Sequence, residues 1–522
     1  MKVEQTDILI IGAGAAGAAA AWNLSGSKLK VTCLEQGPLI PKKEYSFNNI
    51  DREIKKFKEF NIDPNKRNFN SDYPINCDNS PISIANYNAV GGATLVYSGH
   101  YPRFHPSDFK TKKMDNIGKD WLFNYYDLEK FYNLNDKMIG VSGIAGDPAY
   151  PKINNLLPPI NIGYSGELLA KAFNKLGWHW WPSYSAIKNS KRFHKGIRPT
   201  VVEVYWKKAI KRGVILKPNC RVLKIKLTKN NVVSGAIYVN KNNEKIFLKT
   251  SIILMAANGI GTPRLLLNSI SKKFPKGLAN SSGQLGKNLM LHPLGFIEGK
   301  FDKFLASNEG AEGCGIFSHE FYETKKNRNF KRGYTIQFLR SSGPIETIEY
   351  LRKFKKIKFG KNFFKFFFEY FGCTIPLTVI CEDTPQKNNF IKLDYKNKDS
   401  SGMPGVKINY KMSNNSKKML AHGINQCKKL LETAGAKKIS AFGPVRNTGW
   451  HLSGTARMGN SKKNSVVNKF GQSHDIKNLF IIDSSIFPSS SGVNIASTVQ
   501  AVSLMISDFI KKNFSNIIKQ NK

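Results

Sequence analysis

Two clusters of residues, at opposite ends of a 522-residue chain, carry types and spacings that can do chemistry. The first is Gly12-Ala-Gly14-Ala15-Ala-Gly17, preceded by the apolar run Asp7–Ile11 and followed, 23 positions after Gly12, by Glu35. In such a loop Gly12 permits a tight turn, Gly14 lets the backbone approach a pyrophosphate, and Gly17 lets a helix pack close to a strand. The helix N-terminus offers free N–H groups and a positive dipole end to phosphates. Glu35 can accept hydrogen bonds from ribose hydroxyls. This is dinucleotide-binding chemistry, and the spacing does not separate FAD from NAD. The second cluster is His451, within Gly449-Trp-His-Leu-Ser-Gly454, and Asn494, 43 positions later in Gly492-Val-Asn. A histidine has an unperturbed pKa of ~6.5 and is a neutral base at working pH. An amide has acceptor and donors, so it can fix a hydroxyl without competing for its proton. Read in isolation, such a His more often caps a turn and such an Asn more often caps the last helix.

The elements that must position these residues follow from periodicity. Asp7–Ile11 reads as a buried parallel strand, the Ala-rich stretch to about Ser25 as a helix, and Lys30–Leu34 as a second strand ending at the acid. Asn478–Asp483 reads as another strand closed by an acid. Ser484–Ser491 forms a turn, and a helix from about Ile495 to Phe514 keeps Val499, Val502, Ile506 and Phe509 on one face. Asn414–Ala434 is a further helix, with Leu420, Ile424, Cys427 and Leu431 aligned and Gly435 as its stop.

Composition narrows the partners. Hydrophobic residues are 41% of the chain, enough for a large core. Lys and Arg number 80 against 37 Asp and Glu, a formal net charge of +43. Such a balance suits nucleic acid or an anionic membrane. The lysines run along the whole chain, however, and no Arg-rich helix, RNP-like run or finger spacing accompanies them, so nucleic acid is not expected as a partner. Codon usage accounts for the excess equally well. Seven scattered cysteines without a C-x-x-C argue against a disulfide scaffold or a zinc site, and no metal is expected. The uncharged stretch Ile8–Leu24 is short of the ~20 residues a membrane span needs. Met1–Thr6 has no signal-peptide pattern, and a cytoplasmic location is the expectation. Residues Arg352–Phe371 mix Lys with Phe. They read as a substrate-domain helix with basic outer positions, with a peripheral membrane-contact helix as the alternative. Trp178-His-Trp-Trp-Pro182 reads as core, with stacking on a sugar ring as the alternative.

Three more blocks complete a pattern. They are Tyr87-Asn-Ala-Val-Gly91-Gly92-Ala-Thr94-Leu-Val-Tyr-Ser98-Gly-His-Tyr-Pro-Arg-Phe104, Ala256-Ala-Asn-Gly-Ile-Gly-Thr-Pro-Arg-Leu-Leu-Leu267, and Gly286-Lys-Asn-Leu-Met-Leu-His292-Pro293. With the two clusters, they make essentially the whole chain resemble the glucose–methanol–choline (GMC) FAD-dependent oxidoreductases. The Pro-Arg-Phe form of the flavin loop is similar to the pyranose-oxidase and gluconate-dehydrogenase-like branches. Asn258 stands where most members have Gly, and Ile495 where Pro usually follows the active-site Asn. The cysteines that often precede the segment Thr200–Trp206 are missing, which speaks against an iron–sulfur relay.

The resemblance implies an α/β fold in which a Rossmann-like FAD-binding domain is interleaved with an α+β substrate domain, an antiparallel sheet backed by helices. The FAD-binding domain is expected at 1–45, 80–120, 205–298 and 440–522, the substrate domain at 120–204 and 299–440, and a lid or loop at 46–79. FAD would touch Gly12, Gly14, Ala15, Gly17 and Glu35, then Gly91, Gly92, Thr94 and Ser98 of the flavin loop. Asp483 would contact its ribityl or pyrophosphate region and Thr498 would lie near its pyrimidine edge. Val96 stands where some relatives attach FAD through a His, so the cofactor is expected to be non-covalent. His451 would take the proton of an alcohol, sugar or polyol hydroxyl through a His-like pKa, Asn494 would hold that hydroxyl, and the hydride would pass to flavin N5. The helix after Asn494 would stabilise the anionic reduced flavin. His100, His105, His179, His292 and His422 read as structural, with His100 set apart by its place in the flavin loop. The substrate and the electron acceptor (oxygen, a quinone or a cytochrome) stay open. So do two rival readings: a redox-silent lyase of the same fold, and a basic surface-binding protein with a vestigial flavin site.

Overall fold

The computed structural model describes the whole chain except residues 47, 49, 50, 68, 69, 192–194, 312, 354 and 520–522. Its first sheet grows from the strand Lys2–Ile11, whose run Ile8–Ile11 is buried on both faces. Such a run needs neighbours on each edge and helices on each side. Val31–Leu34 pairs parallel on one edge and Lys245–Met255 on the other. Ile215–Lys217 extends the sheet beyond Val31–Leu34, and Leu479–Ile481 pairs parallel with Ile253–Met255. The N-terminal part of Lys245–Met255 pairs instead with Val233–Val239, itself antiparallel to Arg221–Leu227. The first strand begins five residues before the expected Asp7. Lys2–Thr6 continue the ladder against Ile246–Thr250 with side chains largely in solvent, so they carry no apolar signal.

Helices Ala15–Leu24 and Ala496–Lys519 pack together on this sheet, tied by the Ser503 hydroxyl donating to the Ala16 carbonyl at 2.7 Å. The C-terminal helix runs five residues past the expected Phe514, and Ile517 is buried.

The second sheet is antiparallel. Its order is Lys438–Phe442, Leu294–Lys300, Thr374–Cys381, Tyr334–Leu339, Cys314–Ser318 and Trp181–Pro182. Helix Asn414–Thr433 backs one face, and Gly295 and Gly299 leave the space that Leu420, Ile424 and Leu431 fill. The opposite face presents Leu294, Phe296, Glu298, Gln337 and Thr378 to a cavity.

The expected domain boundaries need revision. Those at 298 and 440 each cut a strand of this sheet. Within 120–204, the helix Tyr125–Ile139 buries Leu128, Phe131, Tyr132 and Ile139 in the same core as the first sheet. Its apolar stripe announces a helix but not the partner it packs on. Residues 46–79 are more than a lid, because Ile75–Asn79 pairs with Pro404–Asn409 in a third, three-stranded sheet.

Candidate active site

A cavity of about 750 Å³ runs between the two large sheets. One end is lined by Gly12, Gly14, Ala15 and Glu35, and the middle by Gly92, Thr94, Ser98 and Asp483. Beyond them stand His451, Asn494 and the free face of the antiparallel sheet.

The glycine loop is locked by close approach. Gly12 has φ +107°, and a Cβ there would fall 2.5 Å from the Ala256 carbonyl oxygen. Gly17 abuts the Gly12 carbonyl, with no room for any side chain. Gly14 differs: a Cβ there would meet only the Gly92 Cα, at 3.9 Å, so its face is open to the cavity. The peptide of Ala13 is held from three sides. Its N–H donates to Glu35 at 2.8 Å, and its carbonyl accepts from Gly91 N–H at 3.0 Å and from the Trp206 indole at 2.9 Å. Trp206 carries no loop signal in the sequence. It reaches the loop from a turn of π-helix, Val202–Trp206.

Glu35 also accepts from Gly37 N–H at 2.9 Å. Burial pushes its carboxyl up to about 7, against the pull of the Ala13 and Gly37 amides. The amides of Ala13, Gly37 and Gln36 all engage this carboxyl, which also lines the cavity. Asp483 accepts from the Thr262 hydroxyl at 2.6 Å and from the amide and hydroxyl of Ser485 at 2.9 and 2.5 Å. Thr94 donates to the Gly91 carbonyl at 2.6 Å and lines the wall with Ser98. Thr498 is turned away. Its hydroxyl bonds Tyr132 at 2.8 Å, while Ile495, Ala496 and Val499 face the cavity. The helix rotation that brings Asn494 to the site puts Thr498 on the far side. Gly17 and Gly91 act through backbone packing and do not line the cavity.

These residues fit a dinucleotide. The open face at Gly14, the helix N-terminus at Ala15 and the acid at Glu35 share one end of an elongated space. Buried polar groups further along it lack a well-formed hydrogen bond: both amide atoms of Asn86, His100 Nε2 and Gln337 Oε1. Gln337 lies close enough to His100 to interact with it, and Asn86 to the Tyr73 hydroxyl, so these polar groups pair loosely along the cavity wall. Asn258, at φ +65°, caps its own helix by accepting from Ile260 and Gly261 N–H, so Asn serves where Gly is usual.

The catalytic candidates meet. Asn494 Nδ2 lies 3.4 Å from His451 Nε2, and Asn494 Oδ1 accepts from the Gln337 amide at 2.7 Å. His451 Nδ1 lies 2.8 Å from Nδ1 of His292. His292, read from the sequence as structural, is thus a direct partner of the candidate base His451. His292 Nε2 is 2.6 Å from the Ser490 hydroxyl, which in turn donates to the Ser491 carbonyl at 3.3 Å.

With its oxygen engaged by Gln337, the Asn494 amide meets His451 through Nδ2, which only donates, so His451 Nε2 is the acceptor of that contact. His292 Nδ1 is then the acceptor, His451 Nδ1 carries the proton, and His451 Nε2 presents a lone pair to the cavity. Burial holds the His451 imidazole well below the usual histidine range, with His292 and His100 adding to the effect. Burial likewise pushes His100 down to about 4.

The dense aromatics Trp178–Trp181 do not line this cavity. Trp181 belongs to the edge strand, its indole donating to the Ile144 carbonyl at 2.8 Å, and the Trp180 indole donates to Asn174.

The GMC oxidoreductase family models match residues 6–294 and 385–503. A 2-methyl-1,2-propanediol dehydrogenase of Mycolicibacterium austroafricanum is 36% identical, over 99% of this chain and 97% of its own. The large subunit of fructose dehydrogenase from Gluconobacter japonicus is 25% identical, over 97% of both chains. Among solved structures, pyridoxine 4-oxidase from Mesorbium loti superposes with a TM-score of 0.68 at 16% identity, covering 97% of this chain and 99% of that one. With a parallel sheet carrying the glycine loop, an antiparallel sheet facing it, and His451 and Asn494 between them, the chain belongs to the GMC oxidoreductase family, whose cofactor is FAD.

Proposed function

We propose that the chain oxidises a CH–OH group of a small diol, polyol or sugar to a carbonyl, with His451 as base and Asn494 holding the reacting hydroxyl. The observation that carries this reading is the contact of His451 Nε2 with Asn494 Nδ2, made in the part of the cavity that faces the free sheet, beyond the flavin-loop residues. Gln337 engages Asn494 Oδ1 and so turns Nδ2 toward the base and the substrate. The Asn494 amide would donate to the substrate oxygen while His451 Nε2 accepts its proton. The charge formed on His451 is shared through Nδ1–H with the His292 lone pair. FAD, when bound, supplies the acceptor for the hydride that leaves the carbon. Gly14, Ala15 and Glu35 would hold its pyrophosphate and ribose, and Val96 offers no nucleophile for covalent attachment.

The far wall favours a substrate with more than one hydroxyl. Glu298 lies two residues along its strand from Phe296, whose sheet row includes Thr378 and Gln337, so it stands ~7 Å beyond that row. Burial raises its carboxyl above the ordinary range, and the Thr374 and Tyr350 hydroxyls donate to it. A diol is also the substrate named for the 36% identical relative. Anaerobic mixing of the holoenzyme with diols, polyols, sugars and simple alcohols tests the proposal. Bleaching of the oxidised flavin band by a hydroxylated donor is the expected result. A flavin that stays oxidised with every donor would overturn it.

A further inference from the structure

The segment Arg352–Phe371 departs from the expected helix with basic outer positions. Its helix, Phe363–Tyr370, buries only Phe363. Phe364 and Phe368, four residues apart and hence on one face, are each 67% exposed, and Phe359 just before them is 63% exposed. The rings touch in two groups: Phe359 packs on Phe363 at 4.7 Å and Phe363 on Phe364 at 6.3 Å, and Phe367 packs on Phe368 at 5.4 Å. Phe304, 58% exposed, lies against Gly372 just beyond the helix and widens the patch. Exposed aromatics at this density mark an interaction site.

The rim states what kind. Lys356, Lys358, Lys361 and Lys365 are exposed around the rings, and Arg352 sits over Phe359 at 5.0 Å. The only acid between 352 and 371 is Glu369, which Lys300 engages at 2.9 Å. A second copy of the chain is a poor occupant, because a two-fold contact would bring two identical basic rims together. Among the described residues no helix is long and apolar enough to cross a membrane. We propose that this Phe–Lys surface docks the protein on an anionic lipid bilayer, with the phenyl rings entering the boundary between headgroups and acyl chains and the lysines meeting lipid phosphates. Tyr370, on the same helix, lines the cavity, so docking brings the outer end of the cavity against the bilayer.

Cosedimentation of the FAD-loaded full chain with vesicles tests this. Vesicles of phosphatidylcholine with a minority of phosphatidylserine should bind it at physiological salt, and pure phosphatidylcholine far less. Phe364→Ser/Phe368→Ser should weaken binding about tenfold or more, and Lys361→Glu/Lys365→Glu similarly. Lys229→Glu/Lys241→Glu, equally exposed but remote in sequence, should leave binding unchanged. All three variants should keep their flavin content and their turnover of a soluble donor. Equal loss in the remote pair would assign binding to net charge and overturn the proposal. So would full binding by the Phe variant, absence of binding by the native chain, or a native dimer that the Phe variant converts to monomer.

Discussion

His451 and His292 meet nitrogen to nitrogen, Nδ1 to Nδ1 at 2.8 Å, although 159 positions separate them in the chain. Two imidazoles so placed share one proton. The Asn494 amide, which can only donate from Nδ2 to His451 Nε2, puts that proton on His451 Nδ1 and leaves His292 Nδ1 as its acceptor. In the proposed mechanism His292 is a positioning residue: it sets the tautomer of His451 without touching the reacting atoms.

His292→Ala should strip the buried Nδ1–H of His451 of its acceptor. An unsatisfied buried donor costs ~1–3 kcal/mol, so flavin reduction should slow about tenfold to a hundredfold with little change in KM. His292→Asn should recover much of the rate, because its Oδ1 takes the place of the lost Nδ1. Stopped-flow reduction of the three proteins decides it. A merely structural His292 would show no preference for Asn over Ala.

His451→Ala should slow reduction by ~10²–10⁴-fold, the usual span for a lost general base, with flavin content unchanged. Asn494→Ala should cost less, and Asn494→His should keep part of the activity. Because burial holds His451 well below the usual range, the reductive rate should stay flat from pH 8 down through ~6.5, where the sequence alone places a limb. The limb should appear only at lower pH. A rate that halves near 6.5 would put the proton on another group.

The same burial sets a direction for stability. His100, His292 and His451 bind protons less readily when folded than unfolded. The unfolded chain therefore gains protons first as pH falls through ~6.5, and stability drops there. Thermal unfolding at pH 7.5 and 5.5 should show a lower midpoint in acid.

Glu35→Ala should weaken FAD binding roughly tenfold or more, since ribose hydroxyls lose a charged acceptor and Ala13 loses its anchor. Burial pushes the Glu35 carboxyl up to about 7. If FAD favours the ionised form, binding below that pH releases a proton. Affinity should therefore rise with pH up to about 7 and level off above it, as followed by fluorescence titration of the apoprotein. In Glu35→Ala this dependence should vanish.

Acid precipitation should leave the yellow chromophore in the supernatant. Val96, at the end of the 3₁₀ turn Gly92–Leu95, has no group to bond it. Flavin retained on the pellet would point to His100, the imidazole of the flavin loop that lines the cavity.

What the sequence made legible was local. Gly12, Gly14 and Gly17 sit two and three residues apart because the turn, the open face and the helix contact all lie within one βα connection, so their spacing carries the fold with it. The apolar run Ile8–Ile11 and the stripe Leu420–Leu431 announce a buried strand and a backing helix for the same reason. Partnerships made across the fold leave no such trace. His292 is one apolar-flanked histidine among several until the antiparallel sheet brings it to His451. Trp206 and Gln337 work through single hydrogen bonds, to the Ala13 carbonyl and to Asn494, that no periodicity encodes. Thr498 shows the opposite case: a position carried over by the family resemblance, which the helix rotation turns toward Tyr132.

The anchoring of Asn494 by Gln337 has a consequence for how the protein wears out. Gln337 belongs to the antiparallel sheet, whereas Val493 and Ile495, on either side of Asn494, are buried in the core of the parallel one. The working geometry is therefore stitched across the seam between two cores and belongs to neither. Gentle heating that lets the halves slip by a fraction of a hydrogen-bond length would silence turnover while each core keeps its circular dichroism. Inactivation should run ahead of melting, and a ligand that bridges the seam should close the gap between the two curves.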